Sequence, residues 1–253
     1  MKETRKLIID AHCHVGETPH YRQTVEDLLR QMDANGVDHA VIVGSGRHIT
    51  VENEEGNRLI ASAVRFHPDR LYGFACVNPW YGPKAVEELK RAVSDGLVGL
   101  KLHPAMQGYW ANDPLVDPVV DAAVALGIPI YIHSGTPVFS LPLQIVDLAE
   151  RHPEGRFIMG HMGGADFYVD VPASAKQAEN LFYETSLTCH VAYVDEIVSQ
   201  AGAHRVLFGS DSPTSQQAAE LLKVRMAALT EDQRNQILGG NVLTLLARPG
   251  RRE

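Results

Sequence analysis

Eight short apolar runs, rich in β-branched and aromatic residues, alternate along this chain with longer amphipathic stretches. The runs lie at 7–12 (LIIDAH), 39–43 (HAVIV), 71–77 (LYGFACV), 98–103 (VGLKLH), 128–133 (IPIYIH), 156–161 (RFIMGH), 181–185 (LFYET) and 205–210 (RVLFGS). Between them, segments such as 24–35, 53–66, 83–94, 115–126, 143–151 and 191–201 repeat apolar residues every three or four positions, as at Leu28, Leu29 and Met32 or Val86, Leu89 and Val93. Asn35-Gly36, Asp95-Gly96 and Leu126-Gly127 are helix-stop signals. Strands that read as continuous apolar runs are covered on both faces, which is the habit of parallel sheets. Eight such strand–helix units predict an α/β fold, a single (β/α)8 TIM barrel spanning residues 1–253 as one domain. An open doubly wound sheet would carry a glycine-rich phosphate loop after its first strand. His12-Cys13-His14-Val15-Gly16 occupies that place instead. A last helix over 232–247 is expected to pack outside the barrel and close its bottom or side.

The composition excludes several classes of partner. The chain has 253 residues, is 45% hydrophobic and carries a net charge of −8. A phosphate-binding face needs clustered Lys and Arg, so nucleic acid is not expected. The basic tail Arg248, Arg251, Arg252 is short and reads as solvated. Three widely spaced cysteines, Cys13, Cys76 and Cys189, suit a reducing cytoplasm better than a disulfide scaffold. The opening MKETRKLIID has no apolar region long enough for export. No apolar run approaches the roughly 20 residues of a membrane helix. A cytoplasmic protein acting on a small molecule is expected, with room for a homodimer.

The ends of the apolar runs carry the chemistry. His12 and His14 share a face of the first strand, because alternate residues in a strand point the same way. Lys101 and His103 end the fourth run, His133 the fifth, His161 the sixth, and Asp211 follows the eighth. A parallel barrel gathers these C-terminal ends at one mouth, where active sites sit. Ionisable groups on five of eight strands are hard to explain as packing, and their convergence marks a functional site.

The motifs DAHCHVG, GLKLHP, IHSG, GHMGG and FGSDSP together resemble the amidohydrolase superfamily, in its branch of small amidohydrolase-related proteins. That branch includes decarboxylases of the aminocarboxymuconate-semialdehyde type. FHPDRLYGFACVNP and GGNVLTLL are similar to it as well, so the likeness covers almost the whole chain. The resemblance implies a divalent-metal enzyme. Two neutral nitrogens and one carboxylate, from His12, His14 and Asp211, suit a first ion and leave room for water. His133 and His161 would complete that site or hold a second ion. Two ions per chain are expected, with Lys101 carbamylated as an anionic bridge between them. Zinc suits this set best, although manganese and iron also accept it.

The expected function is hydrolysis of an ester, lactone, thioester or amide by metal-activated water. Asp211 would pass the proton, with His103 or His161 near the developing oxyanion. The alternative is a decarboxylase or hydratase of an aromatic or unsaturated acid. It would hold one ion on His12, His14, His133 and Asp211, with His161 as acid or base and Lys101 as a protonated anchor. Trp80, Tyr109, Trp110, Phe139 and Phe167 lie in loops after the strands, and an aromatic substrate pocket is expected from them. Cys13, on the opposite strand face from the two histidines, reads as a small core residue, and Cys76 likewise. No glycine–serine–glycine elbow supports a serine hydrolase.

Overall fold

A computed structural model describes residues 6–164 and 166–247. The tail arginines Arg248, Arg251 and Arg252 lie outside the described residues. The chain forms an α/β structure around one curled sheet of nine strands. These are β1 (Ile9–Glu17), β2 (Arg22–Gln23), β3 (His39–Gly44), β4 (Leu71–Cys76), β5 (Gly99–Leu102), β6 (Ile130–His133), β7 (Phe157–Gly160), β8 (Leu181–Glu184) and β9 (Val206–Leu207). The strand order is β2-β1-β3-β4-β5-β6-β7-β8-β9. All pairs from β1 to β9 are parallel, and β2 adds an antiparallel edge to β1. Each predicted run contributes one parallel strand. The hairpin strand β2 was not foreseen, because Arg22–Gln23 has no apolar signature.

Helices follow the strands, and their ends obey local chemistry. Helix Val25–Asn35 starts at Thr24, whose hydroxyl accepts from the Asp27 N–H at 3.1 Å while the Asp27 carboxylate accepts from the Thr24 N–H at 3.0 Å. This reciprocal cap satisfies two amide donors that the first turn leaves free. Gly36, at φ 71°, ends the helix in the left-handed conformation that glycine adopts without penalty. The predicted final helix is three pieces: Glu231–Asn235, a π-helical turn Gln236–Gly240, and Asn241–Leu246. At Gly239 a Cβ would lie 2.6 Å from the Leu7 carbonyl oxygen, so the backbone packs there with no side chain between. The widened turn also frees the Ile237 carbonyl, which accepts from Phe208 N–H at 2.9 Å. Val242 and Leu245 then enter one cluster with Ile9, Val41, Phe74, Tyr131, Ile158 and Leu207.

The sheet curls until its two ends touch. Ala11 N–H donates to Phe208 O at 2.9 Å, Asp211 N–H to His12 O at 2.8 Å, and His14 N–H to Ser212 O at 2.7 Å. Cys13 and Ser212 form a parallel bridge. The fully buried Asp10 carboxylate reinforces this seam. Its Oδ1 accepts from Ser210 N–H at 2.8 Å and from His12 N–H at 3.2 Å, and Oδ2 accepts from Gln217 Nε2 at 2.9 Å.

The register of β1 against β3 shifts between Asp10 and Cys13. This bulge changes which residues face inward. Ile9 and Ala11 belong to the cluster inside the curled sheet, whereas Cys13 and Val15 belong to the layer shared with the helices. Without the shift, strict alternation would put His12 and His14 on the helix side. The bulge turns both imidazoles into the interior.

Replacing Asp10 with Ala would leave three buried donors without a partner. Each such loss costs about 1–3 kcal/mol, so the Asp10→Ala protein is expected to be less stable by on the order of 3–5 kcal/mol. Urea denaturation followed by circular dichroism measures this, with the m-value unchanged.

Candidate functional site

The predicted residues His12, His14, Lys101, His103, His133, His161 and Asp211 lie together, with His103 and His133 half-buried and the rest buried, and the geometry separates them into two halves. The first half joins the two sides of the seam. His12 Nε2 lies 3.0 Å and His14 Nε2 3.1 Å from the same oxygen, Asp211 Oδ1. Ligand atoms from these three residues all fall within 4.8 Å of one another, and all three residues are buried. Asp211 adopts φ 54° at a sharp turn whose amide is held by His12 O, and that strained backbone aims its carboxylate back at the histidines.

The hydrogen bonds of His14 test whether this half suits a cation. Its Nδ1 lies 3.0 Å from Gly44 O. A carbonyl only accepts, so Nδ1 carries the proton and a neutral ring leaves Nε2 bare. That bare lone pair then points at a carboxylate oxygen. Two electron-rich atoms at 3.1 Å need a positive charge between them, and a metal-binding histidine generally donates its other N–H to a carbonyl in this way. The donor set therefore fits a divalent ion held by His12, His14 and Asp211. Burial pushes the Asp211 carboxyl up, but the imidazoles of His12 and His14 against it hold it well below the usual carboxylate range. Burial, and then the charge of Lys101, push His12 well down, so its imidazole is a neutral donor.

Lys101 is fully enclosed. Its Nζ lies 3.1 Å from His12 Nε2 and 3.8 Å from the centre of the Tyr131 ring. Burial lowers its pKa to about 8, while the charge of Asp211 opposes the shift. The ring face stabilises the ammonium form.

The second half contains His133 and His161. The structure pairs them with each other, His161 Nε2 to His133 Nδ1 at 3.1 Å, rather than bringing them within the first ligand group. His133 Nε2 meets Thr136 Oγ1 at 2.9 Å, and the His133 ring stacks on His103 with centroids 3.9 Å apart. Behind His161, its Nδ1 meets Ser186 Oγ at 2.7 Å, and Ser186 Oγ donates to Glu184 Oε2 at 2.8 Å. Tyr131 OH donates to the same Oε2 at 2.7 Å. Burial holds His161 down at about 4, and it depresses His133 and His103 strongly. Burial also raises Glu184 to about 7, against the hydrogen bonds from Tyr131 and Ser186. Sequence reading missed Glu184, Ser186 and Tyr131. The available signal was parity: Glu184 shares the strand face of Phe182, in a run that is otherwise apolar. Two glycines make room for this pair, since a Cβ at Gly160 would collide with the Tyr131 hydroxyl and one at Gly209 with the Glu184 carboxylate.

The residues of the expected aromatic pocket differ in exposure. Trp80 and Trp110 are exposed, 59% and 56%, on the loops after β4 and β5, and Phe139 and Phe167 are half-buried. Tyr109 is buried, with its hydroxyl donating to Gln107 Oε1 at 2.8 Å. Gln107 in turn donates to Ile49 O and Val77 O, both at 2.9 Å, and accepts from His103 N–H at 3.1 Å. It fastens three loops together, and Tyr109 serves that staple. His48, Glu52 and Glu55 form another grouping near the surface, but Glu52 is already paired with Arg47.

A family model described as amidohydrolase matches residues 9–248. The gamma-resorcylate decarboxylase of Rhodococcus jostii (strain RHA1) is 26% identical over 246 residues, covering 75% of this chain and 74% of that protein. Three further curated relatives bear the same name. Among solved structures, the 5-carboxyvanillate decarboxylase LigW of Sphingomonas paucimobilis is similar with a TM-score of 0.79 at 18% identity, covering 96% of this chain and 99% of that one. The dihydroxybenzoic acid decarboxylase of Polaromonas sp. JS666, solved with manganese and 2-nitroresorcinol, has a TM-score of 0.78 at 17% identity, covering 96% and 97%. The likeness to these structures extends over the whole fold. The relatives correct the expectation of a hydrolase of esters, lactones, thioesters or amides, since all four curated ones are decarboxylases by name.

Titration calorimetry with manganese or zinc checks the ligand assignment. His14→Ala and Asp211→Ala are expected to weaken binding by more than the roughly 10–100-fold typical of supporting residues. His133→Ala, whose nitrogens are engaged by His161 and Thr136, is expected to weaken it less.

Proposed function

This chain belongs to the amidohydrolase family, in its decarboxylase-like branch, and from that we propose that it is a metal-dependent, non-oxidative decarboxylase of an aromatic carboxylic acid. The observation that carries the proposal is the convergence of His12, His14 and Asp211 beside a buried ammonium, Lys101. We take the fold as a closed (β/α)8 barrel, one domain over residues 1–253, with this cluster at the C-terminal mouth of the strands. The hydrogen bonds that join β1 to residues 208–212 support closure.

One ion, rather than two bridged by a carbamylated lysine, is our reading of the donor set. Manganese is the first ion to try, since the Polaromonas relative holds it. Bound on His12, His14 and Asp211, it would act as a Lewis acid toward the oxygens of the substrate. Lys101 then serves as a cation. At neutral pH a group with a pKa of about 8 is mostly protonated, and its place against the Tyr131 ring suits an ammonium that anchors a carboxylate.

Decarboxylation of an aryl acid needs one proton on the ring carbon that bears the carboxylate. The carbon–carbon bond then breaks, its electron pair restores the aromatic ring, and CO₂ leaves. Asp211, ionised at rest, is assigned to take up a proton from water in the mouth and deliver it to that carbon. His161, neutral and buried, faces the same space and supports the transfer as acid or base. Trp80, Trp110, Phe139 and Phe167 are assigned to the walls around a planar ring. The partner is a small molecule. Among the described residues no helix is long and apolar enough to cross a membrane.

The test is release of CO₂ from a panel of hydroxylated benzoates, 2,6-dihydroxybenzoate included, by manganese-loaded protein. Turnover is expected, and Asp211→Asn should lower kcat by at least about a hundredfold, the low end of general acid–base effects. A panel that releases no CO₂ with metal bound would overturn the proposal. With ¹³C-labelled bicarbonate, the expected NMR spectrum contains no lysine carbamate resonance.

A further inference from the structure

We infer that Glu184 and Ser186 are positioning residues that fix the tautomer of His161, keeping its proton on Nδ1 and leaving Nε2 an unprotonated acceptor. The argument is a proton count along a buried chain of hydrogen bonds. Glu184 is fully buried and surrounded by donors. Oε1 accepts from Ser186 N–H at 2.5 Å, and Oε2 accepts from Tyr131 OH at 2.7 Å, Ser186 OH at 2.8 Å and His161 N–H at 3.3 Å. Above its raised pKa of about 7 this carboxyl is ionised and only accepts, and the four donors around it suit that form, so the count that follows and its test apply above that pH.

A hydroxyl has one proton. Ser186 gives its proton to Glu184, so toward His161 Nδ1, 2.7 Å away, Ser186 Oγ can only accept. Nδ1 must therefore be N–H. His161 is neutral, so Nε2 is bare. It faces His133 Nδ1 at 3.1 Å, which must then be N–H, and His133 Nε2 is left to accept from the Thr136 hydroxyl at 2.9 Å. One buried carboxylate thus dictates the proton positions on two histidines. The isolated imidazole side chain has no such preference imposed on it, and which nitrogen is protonated in a protein is set by the partner of the other. Ser186 lies behind the ring and acts through His161, while Glu184 also holds Tyr131, whose ring lies against Lys101, so Ser186 is the cleaner probe.

The activity arm rests on the decarboxylase reading, but the main measurement does not. Nitrogen-15 NMR of the full chain, stripped of metal so that no ion competes for Nε2, reports which ring nitrogen of His161 is protonated. Wild-type protein is expected to show Nδ1–H. Ser186→Ala removes the acceptor and one atom only, leaving Glu184 three donors, and is expected to move His161 toward Nε2–H. Glu184→Ala frees the Ser186 hydroxyl to donate and is expected to do the same. Ser186→Thr keeps the hydroxyl and is expected to retain Nδ1–H. Wild-type protein with Nε2–H, or a Ser186→Ala spectrum unchanged from wild type, would overturn the inference. If Glu184→Ala does not fold, Ser186→Ala decides alone. In turnover, Ser186→Ala is expected to lose about 10–100-fold in kcat with KM unchanged, the usual effect of a residue that orients another. If no substrate in the panel is turned over, the decarboxylase reading fails while the tautomer result stands.

Discussion

The meeting of β1 with residues 208–212 is the constraint on which the rest of this molecule depends. His12 and His14 lie on one side of that seam and Asp211 on the other, nearly the whole chain apart in sequence. They reach a common point only because backbone hydrogen bonds alternate across the join, at Ala11–Phe208, His12–Asp211 and His14–Ser212. The Asp10 carboxylate sets the spacing, since one of its oxygens holds the amides of both sides. The loop entropy of bringing such distant residues together grows only slowly with length. Seven intervening parallel pairings distribute that cost over the fold. The candidate metal site is therefore a property of closure, and the site and the stability of the fold share the same bonds.

Inside the seam, electrostatics and shape work together. Burial keeps His12, His103, His133 and His161 neutral, and the carboxyl and ammonium groups enclosed with them are Lys101 and Asp211, with Glu184 behind. An isolated buried charge is costly, and each of these is met by a partner. Lys101 has a ring face and an imidazole, Asp211 has two imidazoles, and Glu184 has four donors. Gly160 and Gly209 supply the volume that Tyr131 and Glu184 occupy. The interior is thus carved around polar groups, rather than filled with the branched apolar side chains that usually layer such a barrel.

Much of this was legible in the sequence. The eight apolar runs marked the eight parallel strands, and the ionisable residues at their ends marked the cluster. Residue type and parity were enough for His12, His14, Lys101, His133, His161 and Asp211. Two kinds of fact were not legible. One was partnership: a His on each of two neighbouring strands looks like two ligands, and only coordinates show His133 and His161 bonded to each other. Another was chemistry. The strand-end motifs suit either reaction, so they could not choose between hydrolysis and decarboxylation, and the names of the relatives favour the second. Tyr109 illustrates a smaller limit. An aromatic residue in a mouth loop reads as a pocket wall, but its hydroxyl belongs to the Gln107 staple.

The bulge in β1 makes the spacing of residues in the first strand as informative as their identity. Because it offsets the alternation by one, Ile9 and Ala11 face inward below it, and His12 and His14 face inward above it. The strand behaves like text with a deliberate frame shift. Pairing the same residues in strict alternation from Ile9 would exchange the imidazoles with Cys13 and Val15, placing polar rings against the helices and a thiol among the ionisable groups. Deleting Ala11 would remove the extra residue and still leave His12 and His14 facing inward, at the loss of one apolar side chain inside. Identity and register are therefore separate requirements in this strand, and a slip of one residue erases the site without changing any of its amino acids.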